Sequence, residues 1–186
     1  MSKKYFACVY GGASDSISDT IKNETQKLGE IIHKNGFSLV YGAGATGCMG
    51  AAARGVHSAD GFVMGVTPCF MGEFEDIYPC DNTIIVETMA ERKTIMEKQA
   101  DIFFIVPGGI GTMDEFFQIL TLKYLERMTT PVIIVNTDGF YDSLLKLIDD
   151  MINRGAVRKS VYNLFTVVDD VNSPIIVDTF SKIREM

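Results

Sequence analysis

Residues 102–115, IFFIVPGGIGTMDE, decide the fold of this 186-residue chain. The first five of them are apolar without interruption, as in a strand of a parallel sheet that helices cover on both faces. Pro107 ends that strand, and three glycines within residues 108–111 permit a sharp turn of the backbone. The stretch therefore predicts a buried strand, a glycine loop and a helix in succession, which is the order found in doubly wound α/β domains.

The helix that follows the glycine loop carries two acidic residues near its start. We predict that it begins at Met113, with Thr112 as its N-cap. Asp114 and Glu115 would then lie in the first turn, where the helix dipole stabilises carboxylates. Thr112 and Glu115 have the spacing of a capping box, in which the glutamate bonds back to the N-cap amide. A catalytic role for Glu115 is the other interpretation, and the spacing alone supports both.

The same alternation of apolar strands and amphipathic helices continues along the chain. We predict further strands over residues 5–10, 37–41, 62–67, 132–135 and 164–168, and further helices over residues 17–36, 49–58, 88–100, 141–154 and 174–184. This pattern predicts that residues 1–186 form a single α/β domain with a doubly wound, mostly parallel, Rossmann-like sheet. Residues 68–82 form the longest irregular segment, and loops of that length tend to be functional or mobile.

Glycine clusters follow three of the predicted strands, at residues 11–14, 42–47 and 107–112. Ligands bind at the carboxyl ends of strands in such sheets, and glycine loops at helix N-termini let backbone amides surround a phosphate. Residues 42–47 match G-x-G-x-x-G, but no acidic residue ends the following strand, as an NAD site would require. We therefore expect a mononucleotide or another phosphate ligand; the alternative is that the glycines only permit tight turns.

Composition and charge exclude several classes of partner. The chain has 24 acidic and 17 basic residues, a net charge of −7, which disfavours nucleic acid and anionic membranes. The four cysteines form no C-x-x-C pair and only two histidines are present, so neither a zinc site nor a disulfide framework is expected. The N-terminal segment is too short for a signal peptide, and no apolar run is long enough to span a membrane. These features predict a cytoplasmic protein.

A pair of cations begins the helix that leads into the strand of residues 102–106. Glu91, Arg92 and Lys93 start this helix, and the helix runs antiparallel to the strand. Arg92 is therefore expected on the same side of the sheet as the glycine loop, where it can converge with Glu115. The alternative is a solvated helix start, although cations at a helix N-terminus oppose the dipole and need a reason.

Three of these motifs together resemble one family. Residues 91–93 (ERK), 107–115 (PGGIGTMDE) and 39–50 (LVYGAGATGCMG) are similar to those of the LONELY GUY family, the cytokinin riboside 5′-monophosphate phosphoribohydrolases, long labelled possible lysine decarboxylases. The resemblance implies hydrolysis of the N-glycosidic bond of a purine nucleoside 5′-monophosphate to the free base and ribose 5-phosphate. It implies that Arg92 and Glu115 are the catalytic pair, that no cofactor is needed, and that the protein is a homodimer with the site near the subunit interface.

The resemblance and the glycine loops together give a set of candidate substrate-binding residues. They are Gly12, Ser14, Gly44, Lys93, Gly108, Gly109, Ile110, Gly111, Thr112, Met113, Asp114 and Thr121, with no metal ligand among them. An acidic residue of the family that contacts substrate corresponds to Glu73 or Glu75. Plant members commonly read H-Q-R-K where this chain has AERK, which leaves the choice between AMP, N6-prenylated AMP and another purine monophosphate open. Met89, Met113 and Phe116 are candidates for contacts with the base. The alternative class is a protein that binds nucleotide or molybdenum cofactor without chemistry.

Overall fold

Strands and helices alternate through residues 4–186, the part of the chain that the structure, a computed structural model, describes. Residues 1–3, which begin the segment judged too short for a signal peptide, lie outside the described residues. The strands are β1 (Tyr5–Tyr10), β2 (Phe37–Tyr41), β3 (Val63–Pro68), β4 (Asn82–Val86), β5 (Ile102–Ile105), β6 (Val132–Val135) and β7 (Thr166–Val168). The α-helices are α1 (Asp19–Lys34), α2 (Gly47–Ser58), α3 (Met89–Gln99), α4 (Ile110–Tyr124), α5 (Asp142–Asn153) and α6 (Pro174–Glu185).

The strands form one sheet in the order β4-β3-β2-β1-β5-β6-β7, and every neighbouring pair is parallel. The chain winds outward from β1 through β2, β3 and β4 in one direction and then from β5 through β6 and β7 in the other. This confirms the doubly wound α/β prediction. The reversal places a switch point between the adjacent ends of β1 and β5, where Tyr10 pairs with Ile105. Such a switch point is where folds of this type bind ligands.

Each face of the sheet has its own hydrophobic core, because the side chains of a strand alternate between the faces. In β1, Ala7 and Val9 pack on one face with residues of α1, α2 and α6. Cys8 and Tyr10 point to the other face, which α3 and α4 cover. The central strands are buried on both faces, which explains why their sequences are apolar throughout rather than alternating.

Strand β4 was not predicted, because it lies at the edge of the sheet and its sequence mixes polar and apolar residues. Asn82 and Ile85 are exposed, and only Val86 is buried. The connection from β3 to β4 contains a single short 3-10 helix, Met71–Glu73, instead of an α-helix.

Among residues 4–186, no helix is both long and apolar enough to cross a bilayer.

Candidate active site

A cleft of about 530 Å³ opens at the switch point between β1 and β5. Two glycine loops form its floor, residues 11–14 after β1 and residues 107–112 after β5. The Gly12 amide donates a hydrogen bond to the Pro107 carbonyl oxygen (3.0 Å), which joins the two loops. Eight residues predicted for catalysis or substrate binding line this cleft: Gly12, Ser14, Arg92, Gly108, Gly109, Gly111, Thr112 and Glu115.

Glycine is required at Gly108 because the two loops approach each other too closely for a side chain. A Cβ atom on Gly108 would lie 2.6 Å from the amide nitrogen of Gly12 and 2.1 Å from the Thr112 hydroxyl oxygen. Both distances are far shorter than van der Waals contact, and the first involves backbone that cannot turn away. The glycines of this loop therefore bring the first turn of α4 against the floor of the cleft.

Helix α4 begins three residues earlier than predicted, at Ile110, and its N-cap is Gly109. The predictions of a helix start at Met113 and of Thr112 as N-cap are therefore wrong. Glu115 lies in the second turn and is buried, so the capping-box interpretation of Glu115 is also wrong. The amides of the first turn have no intrahelical acceptor, and Gly109 has no side chain to cap them. These amides and the helix dipole make this end of α4 suited to an anion.

Arg92 and Glu115 meet in the wall of the cleft, as the sequence analysis predicted. The Arg92 Nη2 atom lies 3.7 Å from the Glu115 Oε1 atom, and both side chains are less than a tenth exposed. Helix α3 positions Arg92 one turn after its start, where Thr88 and Glu91 form a reciprocal capping box. That cap fixes the beginning of the helix, and with it the direction of Arg92.

Burial of Glu115 changes its acid–base chemistry. It raises the pKa of the carboxyl to about 7, although the charge of Arg92 opposes the shift. Burial also raises the pKa of Glu75, again against the charge of Arg92. The guanidinium therefore lies in the field of two carboxyl groups that each hold a proton more tightly than usual, the arrangement expected of a general base or acid near neutral pH.

The G-x-G-x-x-G loop of residues 42–47 contributes no residue to the cleft. Two amides at the start of α2 are satisfied within the protein: Gly47 N–H donates to the Asp15 carboxylate (3.1 Å) and Cys48 N–H to the Gly12 carbonyl (2.8 Å). Gly44 pairs instead with Ile77 in an isolated antiparallel bridge. The glycines of this loop have a packing role, because they let the backbone of residues 12–14 approach closely: a Cβ atom on Gly47 would lie 2.5 Å from the Gly12 carbonyl oxygen.

The loop also makes room for the arginine. A Cβ atom on Gly42 would lie 1.7 Å from the Arg92 Nη2 atom and 2.7 Å from the Cε atom of Met49. The absence of a side chain at this position is therefore what allows the guanidinium to reach Glu115.

The remaining predicted residues lie outside the cleft. Lys93 forms an ion pair with Asp114, with 2.8 Å between Nζ and Oδ2. Asp114, Ile110, Met113 and Thr121 line a second groove of about 530 Å³ on the outward face of α4, together with Phe117, Gln118 and Leu122. Ile110 is 90% exposed there. The structure thus divides the predicted substrate-binding residues of α4 between two surfaces: Gly111 and Thr112 line the cleft, and the others line the second groove.

Several residues of the cleft were not found from the sequence. These are Ile17, Met49, Met71 and Phe140. Met89, which was predicted as a candidate for contact with the base, also lines the cleft. Apolar residues such as these give no signal in a sequence that distinguishes a cleft from a core. Phe116 was a candidate for contact with the base, but it is fully buried in the core and does not line the cleft.

Of the two acidic candidates in the loop between β3 and β4, Glu75 lines the cleft and Glu73 is exposed outside it. Main-chain hydrogen bonds hold this part of the loop against residues 43–45, from Ala45 N–H to the Asp76 carbonyl (2.9 Å) and from Tyr78 N–H to the Ala43 carbonyl (2.8 Å). Among residues 4–186, no group of three or more His, Cys, Asp or Glu side chains could hold a metal ion.

The sheet order defines a Rossmann-like protein with a cleft at the switch point of its sheet. Solved structures with this fold include a molybdenum cofactor carrier protein of Chlamydomonas reinhardtii, with a TM-score of 0.73 and 20% identity over 99% of this chain and 100% of that one. A molybdenum cofactor binding protein of Rippkaea orientalis has a TM-score of 0.70 and 18% identity over 100% of this chain and 98% of that one. At these identities the likeness establishes the fold alone.

Sequence comparison identifies the family more closely. The family model described as "possible lysine decarboxylase" matches residues 49–176. A cytokinin riboside 5′-monophosphate phosphoribohydrolase of Arabidopsis thaliana is 34% identical over 90% of this chain and 78% of its own length. The enzyme of that name from Mycobacterium tuberculosis is 32% identical over 90% of this chain and 89% of its own length. The chain therefore belongs to the family of cytokinin riboside 5′-monophosphate phosphoribohydrolases.

Proposed function

We propose that this protein hydrolyses the N-glycosidic bond of a purine nucleoside 5′-monophosphate, releasing the free base and ribose 5-phosphate. The buried pair of Arg92 and Glu115, beside two glycine loops, is the observation that carries the proposal. A protein that only carries a nucleotide needs the loops, but it has no need of a desolvated ion pair. The names of the relatives point to the same reaction.

The phosphate end of the substrate would lie at the start of α4. Amides of Gly111 and Thr112 are in the first turn, and Gly108 and Gly109 leave the approach open. Backbone donors and the helix dipole act at contact distance, so the net charge of −7 does not oppose a small anion there. Lys93 pairs with Asp114 outside the cleft, which favours backbone donors over lysine as the main phosphate contacts.

Glu115 would act on the sugar. Cleavage of the bond from C1′ to the base nitrogen builds positive charge on the ribose and negative charge on the leaving base. The Glu115 carboxylate takes a proton from a water molecule as that oxygen bonds to C1′, and the bond electrons leave with the base. Arg92 stabilises the charge on the departing base, which then receives the proton that Glu115 took from water, directly or through solvent, so the reaction needs no oxidant, reductant or metal.

The base would lie against the methionine side chains that line the cleft. Met49, Met71 and Met89 form an apolar, adaptable surface there, and Glu75 supplies a carboxyl group beside it. A carboxylate accepts a hydrogen bond from an exocyclic amine but not from a carbonyl oxygen. This favours an adenine-type base over a 6-oxopurine, and methionines would also accept an apolar substituent on the amine. AMP is therefore the first substrate to test.

We also propose a homodimer that covers the outward face of α4. Ile110 is 90% exposed and Leu125 60% exposed on that helix, and Phe117 and Tyr124 border an apolar groove of about 210 Å³ between α4 and α5. An exposed apolar surface of this kind marks an interface. A dimer would bury Ile110 and would bring Thr121 of each copy near its partner.

The setting of the protein would be the cytoplasm, because all four cysteines are free thiols and the acidic net charge disfavours polynucleotides.

The proposed reaction is tested by incubating the protein with a panel of nucleoside monophosphates, nucleosides and triphosphates and measuring free base by chromatography. We expect base only from monophosphates, with AMP or an N6-substituted AMP fastest. Binding of nucleotide without release of base from any of them would instead assign the protein to the carriers. Light scattering tests the dimer: the chain is expected at twice its own mass, and Ile110→Asp is expected to be monomeric.

A further inference from the structure

Tyr10 is the last residue of β1, directly before the glycine loop of residues 11–14, and its side chain lies in the layer between the sheet and helices α3 and α4. Its side chain is 1% exposed, and among the described residues its hydroxyl makes no hydrogen bond of normal geometry, the nearby Cys8 thiol being a weak partner only. Most buried polar atoms in proteins are paired, and an unpaired hydroxyl costs free energy of folding. Phenylalanine would fill the same space without this cost, so the hydroxyl is expected to have a role other than packing.

Among the described residues, Arg92 also has a hydrogen-bonding atom without an acceptor. The Arg92 Nε atom is buried without an acceptor, and the Arg92 Nη2 atom is 3.7 Å from Glu115, which is longer than a hydrogen bond. Burial raises the pKa of Tyr10, and the charges of Cys8, Glu115 and Glu97 raise it further. The hydroxyl therefore lies within the field of the Glu115 carboxylate.

Among the possible acceptors near Tyr10, the Glu115 carboxylate would be stabilised most by a hydrogen bond from the tyrosine hydroxyl. The Cys8 thiol is a weak acceptor. Glu97 already accepts a hydrogen bond from the Gln118 side-chain amide. Glu115 is more deeply buried than Glu97, and no side-chain donor lies within hydrogen-bond distance of it among the described residues.

We propose that Tyr10 is a positioning residue for the reaction, whose hydroxyl donates a hydrogen bond, directly or through one water molecule, to the Glu115 carboxylate when substrate is bound. The proposal rests on the proposed function. The Tyr10 ring stacks on Phe103 of β5, with 5.7 Å between ring centroids and 22° between ring planes, and this contact holds the direction of the hydroxyl. Catalytic hydrogen bonds are often long in a free enzyme and shorten in the complex. The hydroxyl would favour the ionised form of Glu115 and fix the oxygen that takes the proton from water.

The pH dependence of the reaction distinguishes this role from a structural one. Charged or titratable groups that face Glu115 come from β1, the β3–β4 loop, α3 and α4: Cys8, Tyr10, Glu75, Arg92, Lys93 and Asp114. Two members of the set are neutral donors, Cys8 and Tyr10, and the Tyr10 hydroxyl is a much stronger donor than the Cys8 thiol. Removing a donor to the ionised form raises the pKa of an acid.

The test compares Tyr10→Phe with the wild type in base release from AMP between pH 5 and 9. We expect the acid limb of kcat/KM to move up by about one pH unit, so that the variant is about tenfold slower at pH 6 and within about twofold at pH 9. We also expect an unchanged or higher melting temperature, because the ring stays and an unpaired hydroxyl is removed. An unmoved acid limb, or an equal loss of rate at every pH, would overturn the proposal.

Tyr41→Phe is the matched control. Tyr41 is a fully buried tyrosine whose side chain packs on the opposite face of the sheet, and its hydroxyl donates to the Gly44 carbonyl (3.3 Å). This variant should lower the melting temperature and leave the acid limb in place. A shift as large as that of Tyr10→Phe would show a general effect of losing a tyrosine hydroxyl, and it too would overturn the proposal.

A titration without substrate separates this proposal from the proposed function. Carbon NMR of protein with labelled glutamate carboxyls, assigned with Glu115→Gln, measures the pKa of Glu115 in the wild type and in Tyr10→Phe. A higher pKa in the variant supports the link from Tyr10 to Glu115 even if no nucleotide yields free base, in which case the proposed function alone has failed. Equal values in the two proteins would overturn the link whatever the activity.

Discussion

Gly42 lies outside the cleft, yet an alanine there should disable the site. A Cβ atom would be 1.7 Å from the Arg92 Nη2 atom and 2.8 Å from its Cζ atom. The guanidinium would have to retreat by about 2 Å to reach ordinary contact distance. The Arg92 Nη2 atom lies 3.7 Å from the Glu115 Oε1 atom, so a displacement of that size changes the geometry of the pair.

The expected result of Gly42→Ala is a loss of turnover with a retained fold. A misplacement of about 1 Å in a catalytic group can cost about a hundredfold in rate, so we expect kcat to fall by at least that factor. The clash is with the far end of a flexible side chain, so the chain can still fold. Leaving a buried charge without its partner should nevertheless lower the unfolding free energy by about 1–3 kcal/mol.

The assay is base release from AMP, with circular dichroism and thermal unfolding measured on the same samples. Gly72→Ala is the matched control, because a Cβ atom at Gly72 meets nothing within 4 Å. It should keep wild-type turnover and stability. The reasoning would be refuted by a folded Gly42→Ala protein that turns over AMP at the wild-type rate.

Three further predictions follow from the same geometry. The kcat/KM of the wild type should fall about tenfold per pH unit below pH 7, because the reaction needs ionised Glu115, whose pKa is about 7. The folded protein binds the Glu115 proton more tightly than the unfolded chain does, so the unfolding free energy contributed by Glu115 should fall as the pH rises from about 4.5 to 7, by up to about 3 kcal/mol. Urea titrations at several pH values measure this fall, and the same slope in Glu115→Gln would contradict it. Gly108→Ala should lose about 1–3 kcal/mol of unfolding free energy, since its Cβ atom would be 2.6 Å from a backbone nitrogen, and wild-type stability would show that the loop adapts. Asp114→Asn should keep turnover within about threefold, because its pairing with Lys93 is outside the cleft; a hundredfold loss would place that pair in the reaction.

Residues 102–106 show why most of the fold could be predicted from the sequence. Their uninterrupted apolar run, like that of the strand in residues 132–135, has few interpretations other than a buried parallel strand. The convergence of Arg92 with Glu115 followed from topology alone, since a helix antiparallel to β5 must begin near the carboxyl end of that strand. Strand β4 gave no such pattern, because edge strands are half exposed and pair on one side only.

The start of α4 and the role of residues 42–47 depend on contacts between distant parts of the chain. Thr112 looked like an N-cap because its hydroxyl is the first capping group after the glycines, but Gly109 adopts the extended N-cap conformation and the helix begins at Ile110. The G-x-G-x-x-G motif looked like a phosphate loop because the same glycines serve any close approach of backbones. The packing role is visible only in the partners of the Gly47 and Cys48 amides, which are Asp15 and Gly12.

The comparison of wild type with Glu115→Gln in release of base from AMP tests the central claim most directly. Binding of AMP by each protein is measured separately, by calorimetry. The account predicts that the variant binds AMP within about tenfold of the wild type and turns it over at least about a hundredfold more slowly, because glutamine fills the same space without a carboxylate to take the proton from water. Undiminished release of base by Glu115→Gln would contradict the account.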